Sequence, residues 1–135
     1  MRKYKRILLI DDDVASLYIN RSVLQDLDIV EHIDVVTNGS SALNYFNERH
    51  TSPENWPDLI LLDISMPVKD GFEVLAESRK QGYFQGKSPK IIMLTSSNRI
   101  IDHLKASEYG VVDYLTKPLT SEKLISALSK LDTAG

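Results

Sequence analysis

The 135-residue sequence predicts a doubly wound α/β domain built on a five-stranded parallel sheet. Short apolar runs alternate with longer stretches of helical spacing, five times in succession. Three of the runs are continuously apolar: Ile-Leu-Leu-Ile at 7–10, Leu-Ile-Leu-Leu at 59–62 and Ile-Ile-Met-Leu at 91–94. Strands covered by helices on both faces have that composition. Polar residues gather directly after the runs, where strands of such a sheet would end.

The first strand, Ile7–Ile10, leads into Asp11-Asp12-Asp13. Asp13 stands where a side chain would cap the helix Val14–Leu27, whose Leu17, Leu24 and Leu27 share a face. The second strand, Ile33–Val36, is followed by Gly39 and a helix with Ala42, Leu43 and Phe46 on one side. His50–Pro57, with Pro53 and Trp56, reads as the one long connection, and Trp56 is expected to cover an edge of the core. The third strand, Leu59–Leu62, ends in Asp63. Asp70-Gly71 reads as a turn closing the next loop, ahead of a helix that buries Phe72, Leu75 and Ala76. The fourth strand, Ile91–Leu94, ends in Thr95-Ser96-Ser97. Asn98–Tyr109 carries Ile100, Ile101 and Leu104 without a clean two-faced pattern, and Gly110 closes it. Asp113–Thr116 is mixed, as suits an edge strand, and Lys117-Pro118 follows. Leu124, Ile125, Leu128 and Leu131 form the clearest helical stripe. The reading is a single domain over residues 1–135, with a core from about 5 to 131 and no output domain.

Composition narrows the function. Hydrophobic residues at 42% and charged residues at 26% suit a soluble globular domain. A net charge of −3 supplies no field for nucleic acid, so no direct nucleic-acid binding is expected. The absence of cysteine removes disulfides, thiol catalysis and Cys-zinc sites. After Met-Arg-Lys-Tyr-Lys-Arg, a run of only four apolar residues precedes the three aspartates, too few for a secretory or membrane segment. A cytoplasmic protein without membrane attachment is expected.

Parallel strands would bring Asp11, Asp12, Asp63, Thr95 and Lys117 to one rim. Two carboxylates about 4 Å apart repel by roughly 4 kcal/mol at an effective dielectric near 20. Such a cluster needs protons, a cation or both. Hard oxygen ligands point to Mg²⁺, whereas His32, His50 and His103 show no ligand spacing and read as surface residues. A carboxylate nucleophile, a divalent ion, a lysine and a hydroxyl make up the parts needed for phosphoryl transfer to Asp. A haloacid-dehalogenase-type phosphatase is the enzymatic rival, with Asp11 as nucleophile and Asp13 as acid/base. It needs a further acidic pair after Lys117, where only Glu122 and Asp132 remain. A flavin site is disfavoured because no strand is followed by a Ser/Thr/Gly-rich phosphate loop. An unphosphorylated interaction scaffold remains a third reading.

These residues resemble the receiver domains of two-component response regulators. The likeness rests on Ile7-Leu-Leu-Ile-Asp-Asp-Asp, Pro57-Asp-Leu-Ile-Leu-Leu-Asp-Ile-Ser-Met-Pro-Val-Lys-Asp-Gly, Ile91-Ile-Met-Leu-Thr-Ser-Ser and Asp113-Tyr-Leu-Thr-Lys-Pro. Single-domain regulators of the chemotaxis type, and those working with phytochrome-like kinases, are the most similar. The resemblance implies the flavodoxin-like strand order 2-1-3-4-5 and a signalling protein that catalyses only its own phosphorylation and dephosphorylation. It implies Asp63 as phosphoacceptor, with Asp11, Asp12, Asp63 and the backbone carbonyl of Ser65 holding Mg²⁺, or Mn²⁺ in its place. Lys117 and Thr95 would bind phosphoryl oxygens, and Lys117-Pro118 would be a cis peptide. Thr95 and Tyr114 would form the switch, and Ser65, Ser96 and Ser97 would lie beside the phosphoryl group. Expected partners are a sensor histidine kinase or phosphotransfer protein, a downstream protein on the Asn98–Leu131 face, and a second copy as a possible homodimer. Val14 departs from the family, where proline is frequent.

Overall fold

Alternate residues of the apolar strands face opposite sides of one sheet, which explains why they carry no polar position. In the computed structural model, which describes residues 3–87, 90–96 and 99–134, five strands and five α-helices alternate. They are β1 (Tyr4–Ile10), α1 (Val14–Leu27), β2 (Val30–Val36), α2 (Gly39–Arg49), β3 (Leu59–Asp63), α3 (Gly71–Lys80), β4 (Ile91–Thr95), α4 (Ile100–Glu108), β5 (Asp113–Thr116) and α5 (Ser121–Ala134). A short 3₁₀ turn, Pro53–Asn55, interrupts the α2–β3 connection. All strand pairs are parallel in the order β2-β1-β3-β4-β5, so β5 is an edge as its mixed sequence predicts.

The core lies in two layers. Leu8, Ile10, Ile60, Leu62, Ile91 and Met93 pack with Ala42 and Phe46 of α2 and Phe72 and Leu75 of α3. On the other face Ile7, Leu9, Leu59, Leu61, Ile92 and Leu94 meet Leu17 and Leu24 of α1 and Leu124, Leu128 and Leu131 of α5. Burial of these side chains is the main stabilising contribution, about 1.5–3 kcal/mol for each large one.

Several sequence expectations need correction. β1 and β2 each begin three residues earlier than their apolar runs. Tyr4 pairs with Val30 and Arg6 with His32, and tertiary pairing holds the polar start that periodicity alone misses. In α3, Ala76 is exposed, and Ser78 is buried instead. Its hydroxyl donates to the Val74 carbonyl at 2.7 Å, so burial leaves no polar group unsatisfied. In α5, Ile125 is 51% exposed and Ala127 takes its place in the buried stripe with Leu124, Leu128 and Leu131. Spacing of three, four and seven residues favours that set. The connection around Trp56 is not the one long loop, because a second follows α3 from Gln81 and carries the buried Phe84. The two loops clasp each other. Trp56 lies 5.5 Å from Phe46 and 5.9 Å from Phe84, ring centre to ring centre, and Lys87 donates to the His50 carbonyl at 2.6 Å. Trp56 thus covers a core edge, at the end of the sheet opposite the aspartates.

Candidate functional site

Parallel pairing places the carboxyl ends of the strands at one rim, and the register sets their spacing. Ile10 pairs with Leu62, Asp63 with Leu94 and Thr95 with Thr116. Asp11 therefore follows β1 beside Asp63 at the end of β3, and Lys117 follows β5. Asp11 is 1% and Asp63 3% exposed, whereas Asp12 is exposed. Carboxylate oxygens of the three lie within 4.8 Å of one another. The Lys117 ammonium sits 2.9 Å from Asp11 Oδ2 and 3.4 Å from Asp63 Oδ1.

Local hydrogen bonds hold these groups in place. The Asp11 amide donates to the Val36 carbonyl at 3.2 Å, and Asp11 Oδ1 accepts from the Asp13 amide at 2.9 Å. Asp13 caps α1, accepting from the amides of Ala15 and Ser16 and from the Ser16 hydroxyl. That use of the Asp13 carboxylate counts against the phosphatase reading, in which it is the acid/base; Glu122, needed for the same reading, is exposed on α5. Asp63 Oδ1 accepts from the Ser65 amide at 3.3 Å. Asp70-Gly71, expected as a turn, is a helix start: Asp70 and Glu73 form a reciprocal capping box. The Asp-x-x-Glu spacing carried that signal. Gly71 is required there by close approach, since a Cβ would lie 2.7 Å from the Asp63 carbonyl oxygen.

Electrostatics follow from burial. Burial, then the Asp11 charge, push the Asp63 carboxyl up to about 7, partly offset by Lys117 and the Ser65 amide. Lys117 is held above the usual lysine range: burial lowers it, but Asp11 and Asp63 outweigh burial. The consequence for stability has a definite sign. Below the ordinary Asp value of 3.8 the Asp63 carboxyl is protonated in folded and unfolded chains alike. Between there and about 7 the unfolded chain releases its proton first, so the metal-free fold loses stability as pH rises. Thermal melts in chelator should show the Asp63→Asn variant gaining on the parent from pH 4 to pH 8; a constant gap contradicts the raised carboxyl.

Asp11 Oδ2 is buried and accepts no aligned hydrogen bond, its partner being the Lys117 ion pair. Three carboxylates, all hard oxygen donors, with one oxygen under-satisfied, fit a divalent cation.

The remaining predicted residues lie on β4 and β5 or directly after β3, β4 and β5. Thr95 is 1% exposed, and its hydroxyl shares a hydrogen bond with Tyr114. Tyr114 is half-buried, and its ring centre lies 3.8 Å from that of His103, an otherwise exposed residue of α4. Burial raises the Tyr114 phenol. Lys117–Pro118 is a cis peptide. Ser65, whose amide meets Asp63, and Ser96, next to Thr95 in the chain, are exposed, while Ser97 and Asn98 lie outside the described residues. Lys123 adds a contact that the sequence does not signal. Its ammonium donates to the carbonyls of Thr116, at 2.8 Å, and Pro118, at 3.0 Å, and no motif flags such a contact.

Comparison with known proteins agrees with this geometry. A family model described as "Response regulator receiver domain" matches residues 7–129. The transcriptional regulatory protein MalR of Bacillus subtilis is 33% identical over 123 residues, covering 91% of this chain and 48% of MalR. SphR of Synechococcus elongatus, an alkaline phosphatase synthesis transcriptional regulatory protein, is 33% identical over 126 residues, covering 90% of this chain and 46% of its own. The chain thus spans about half the length of these curated relatives. Among solved structures, a two-component response regulator from Cytophaga hutchinsonii superposes with a TM-score of 0.87 at 32% identity, covering 98% of this chain and 99% of that one. The bacteriophytochrome response regulator RtBRR gives 0.79 at 34% identity, covering 97% and 78%. No helix among the described residues is long and apolar enough to cross a membrane. With its five-stranded sheet in the order 2-1-3-4-5 and its acidic rim, the chain belongs to the response regulator receiver domain family.

Proposed function

We propose that residues 1–135 act as one cytoplasmic receiver domain whose Asp63 accepts a phosphoryl group from a phosphohistidine on a sensor kinase or phosphotransfer protein. The observation that carries this reading is the Asp63 carboxylate at the end of β3, with Asp11 beside it and the Lys117 ammonium at 3.4 Å. Asp11, Asp12, Asp63 and the Ser65 carbonyl would hold Mg²⁺ or Mn²⁺. When bound, the ion offsets negative charge on the phosphoryl oxygens. An Asp63 oxygen attacks phosphorus as the phosphorus–nitrogen bond to a phosphohistidine protonated on its other ring nitrogen breaks, leaving an acyl phosphate on Asp63 and neutral imidazole on the donor. Lys117 shifts its contact from carboxylate to a phosphoryl oxygen. The Thr95 hydroxyl turns from Tyr114 to another, and Tyr114 repositions with it. Ser65 and Ser97, two positions after Asp63 and after Thr95 in the sequence, tune hydrolysis of the acyl phosphate and hence its lifetime, and Ser96 keeps a small side chain beside the group. The changed α4–β5–α5 face, within 98–131, is what a downstream protein or a second copy reads. A bias of about 1–3 kcal/mol between the two states suffices.

Incubation with Mg²⁺ and acetyl phosphate should add one phosphoryl mass, and chelator should prevent it; a chain that stays unlabelled would sink the proposal. Millimolar Mg²⁺ alone should raise the melting temperature by relieving the carboxylate repulsion. A melting temperature indifferent to Mg²⁺ would count against the metal assignment.

A further inference from the structure

We infer that Lys123 is a positioning residue: its ammonium clamps the carbonyls on either side of Lys117 and so aims the Lys117 side chain at Asp11 and Asp63. β5 is an edge strand, and no strand among the described residues bonds its outer main-chain groups. Lys123 supplies donors to this segment from α5, at 2.8 Å to the Thr116 carbonyl and 3.0 Å to the Pro118 carbonyl. On the other flank the Lys117 amide donates to the Thr95 carbonyl at 2.6 Å. Three main-chain tethers therefore fix residues 116–118.

Lys123 is itself anchored. Its amide donates to the Thr120 hydroxyl at 3.2 Å, where α5 begins. Leu119 and Leu124, on either side of this turn, are 3% and 0% exposed and fixed in the core. The stem leaves a rigid turn, and a charged donor holds neutral acceptors more strongly than a neutral one would. Lys117 reaches both buried carboxylates only from a defined backbone position, at 2.9 and 3.4 Å. A shift of about 1 Å in a positioning group can cost as much as a hundredfold in rate.

The kinetic consequence rests on Asp63 as phosphoacceptor; the aim of Lys117 does not. Two measurements separate them. First, an amine-reactive acetylating reagent is applied to the metal-free protein, and modification of Lys117 is followed by peptide mass mapping. Lys123→Met, nearly isosteric but unable to donate, should expose Lys117 to modification several-fold faster, and Lys123→Arg should restore protection. Unchanged Lys117 reactivity in Lys123→Met overturns the inference. Second, labelling by acetyl phosphate in saturating Mg²⁺ should be about ten- to a hundredfold slower in Lys123→Met. In a Lys117→Met background the same change should have no further effect, because Lys123 acts through Lys117. An equal loss in both backgrounds overturns the inference. If the parent takes no label while Lys123→Met still exposes Lys117, the clamp stands and the phosphoacceptor reading falls.

Discussion

Asp63→Asn is expected to leave the chain unlabelled by acetyl phosphate and, at the same time, to stabilise its metal-free fold. The two effects share one cause. Asp63 is 3% exposed and faces Asp11, so its charge is retained at a cost to the fold. An amide of the same shape carries no charge to desolvate or repel. With the carboxyl pushed up to about 7, the gain at pH 8 is about 1–4 kcal/mol. The gain should fall to little at pH 4, where the folded carboxyl is protonated and the unfolded one only partly ionised, and should shrink on adding Mg²⁺ to the parent. Relief of this kind is common where a functional group is held in an unfavourable setting. Asp12→Asn should do much less, because Asp12 is exposed and water already screens it. A destabilised Asp63→Asn, measured by chemical denaturation in chelator, would contradict the picture of a repulsive pocket.

Lys117→Met should have the opposite effect on the fold and a comparable one on chemistry. Removing the ammonium leaves Asp11 and Asp63 buried without their counter-ion. Breaking a buried pair from one side costs about 3–5 kcal/mol. The loss should be largest at pH 8 and smaller near pH 5, where Asp63 takes up a proton. Mg²⁺ should recover part of it by supplying positive charge to the same oxygens. Labelling by acetyl phosphate should slow by about 10²–10³, the scale found when one donor to a developing anion is removed. Labelling at the parental rate would show that Lys117 takes no part in stabilising the transferred group.

Much of this was legible in the chain because parallel α/β sheets separate structure from chemistry. The runs at 7–10, 59–62 and 91–94 mark buried strands, and the polar residues just beyond them, Asp11, Asp63 and Thr95, come together through topology alone. Where the sequence misled, a contact from elsewhere in the fold decided the outcome. Tyr4 and Arg6 extend β1 because Val30 and His32 of β2 pair with them, not because they look like a strand. Ile125 is apolar yet exposed, since the buried arc of α5 has room for Ala127 instead. Phe84 is buried by Phe46 and Trp56 across two loops whose meeting has no periodic signature. Lys123 is similar: its two carbonyl partners lie close in sequence, but nothing in the residue types announces the bond.

The most direct test is the position of the phosphoryl group after acetyl phosphate treatment in Mg²⁺. Borohydride reduction converts an aspartyl phosphate to homoserine, which marks its site for peptide mass mapping. Conversion confined to residue 63 is the predicted result. Conversion at Asp11 or Asp12 in place of Asp63, or at none of the three in a labelled chain, would contradict it.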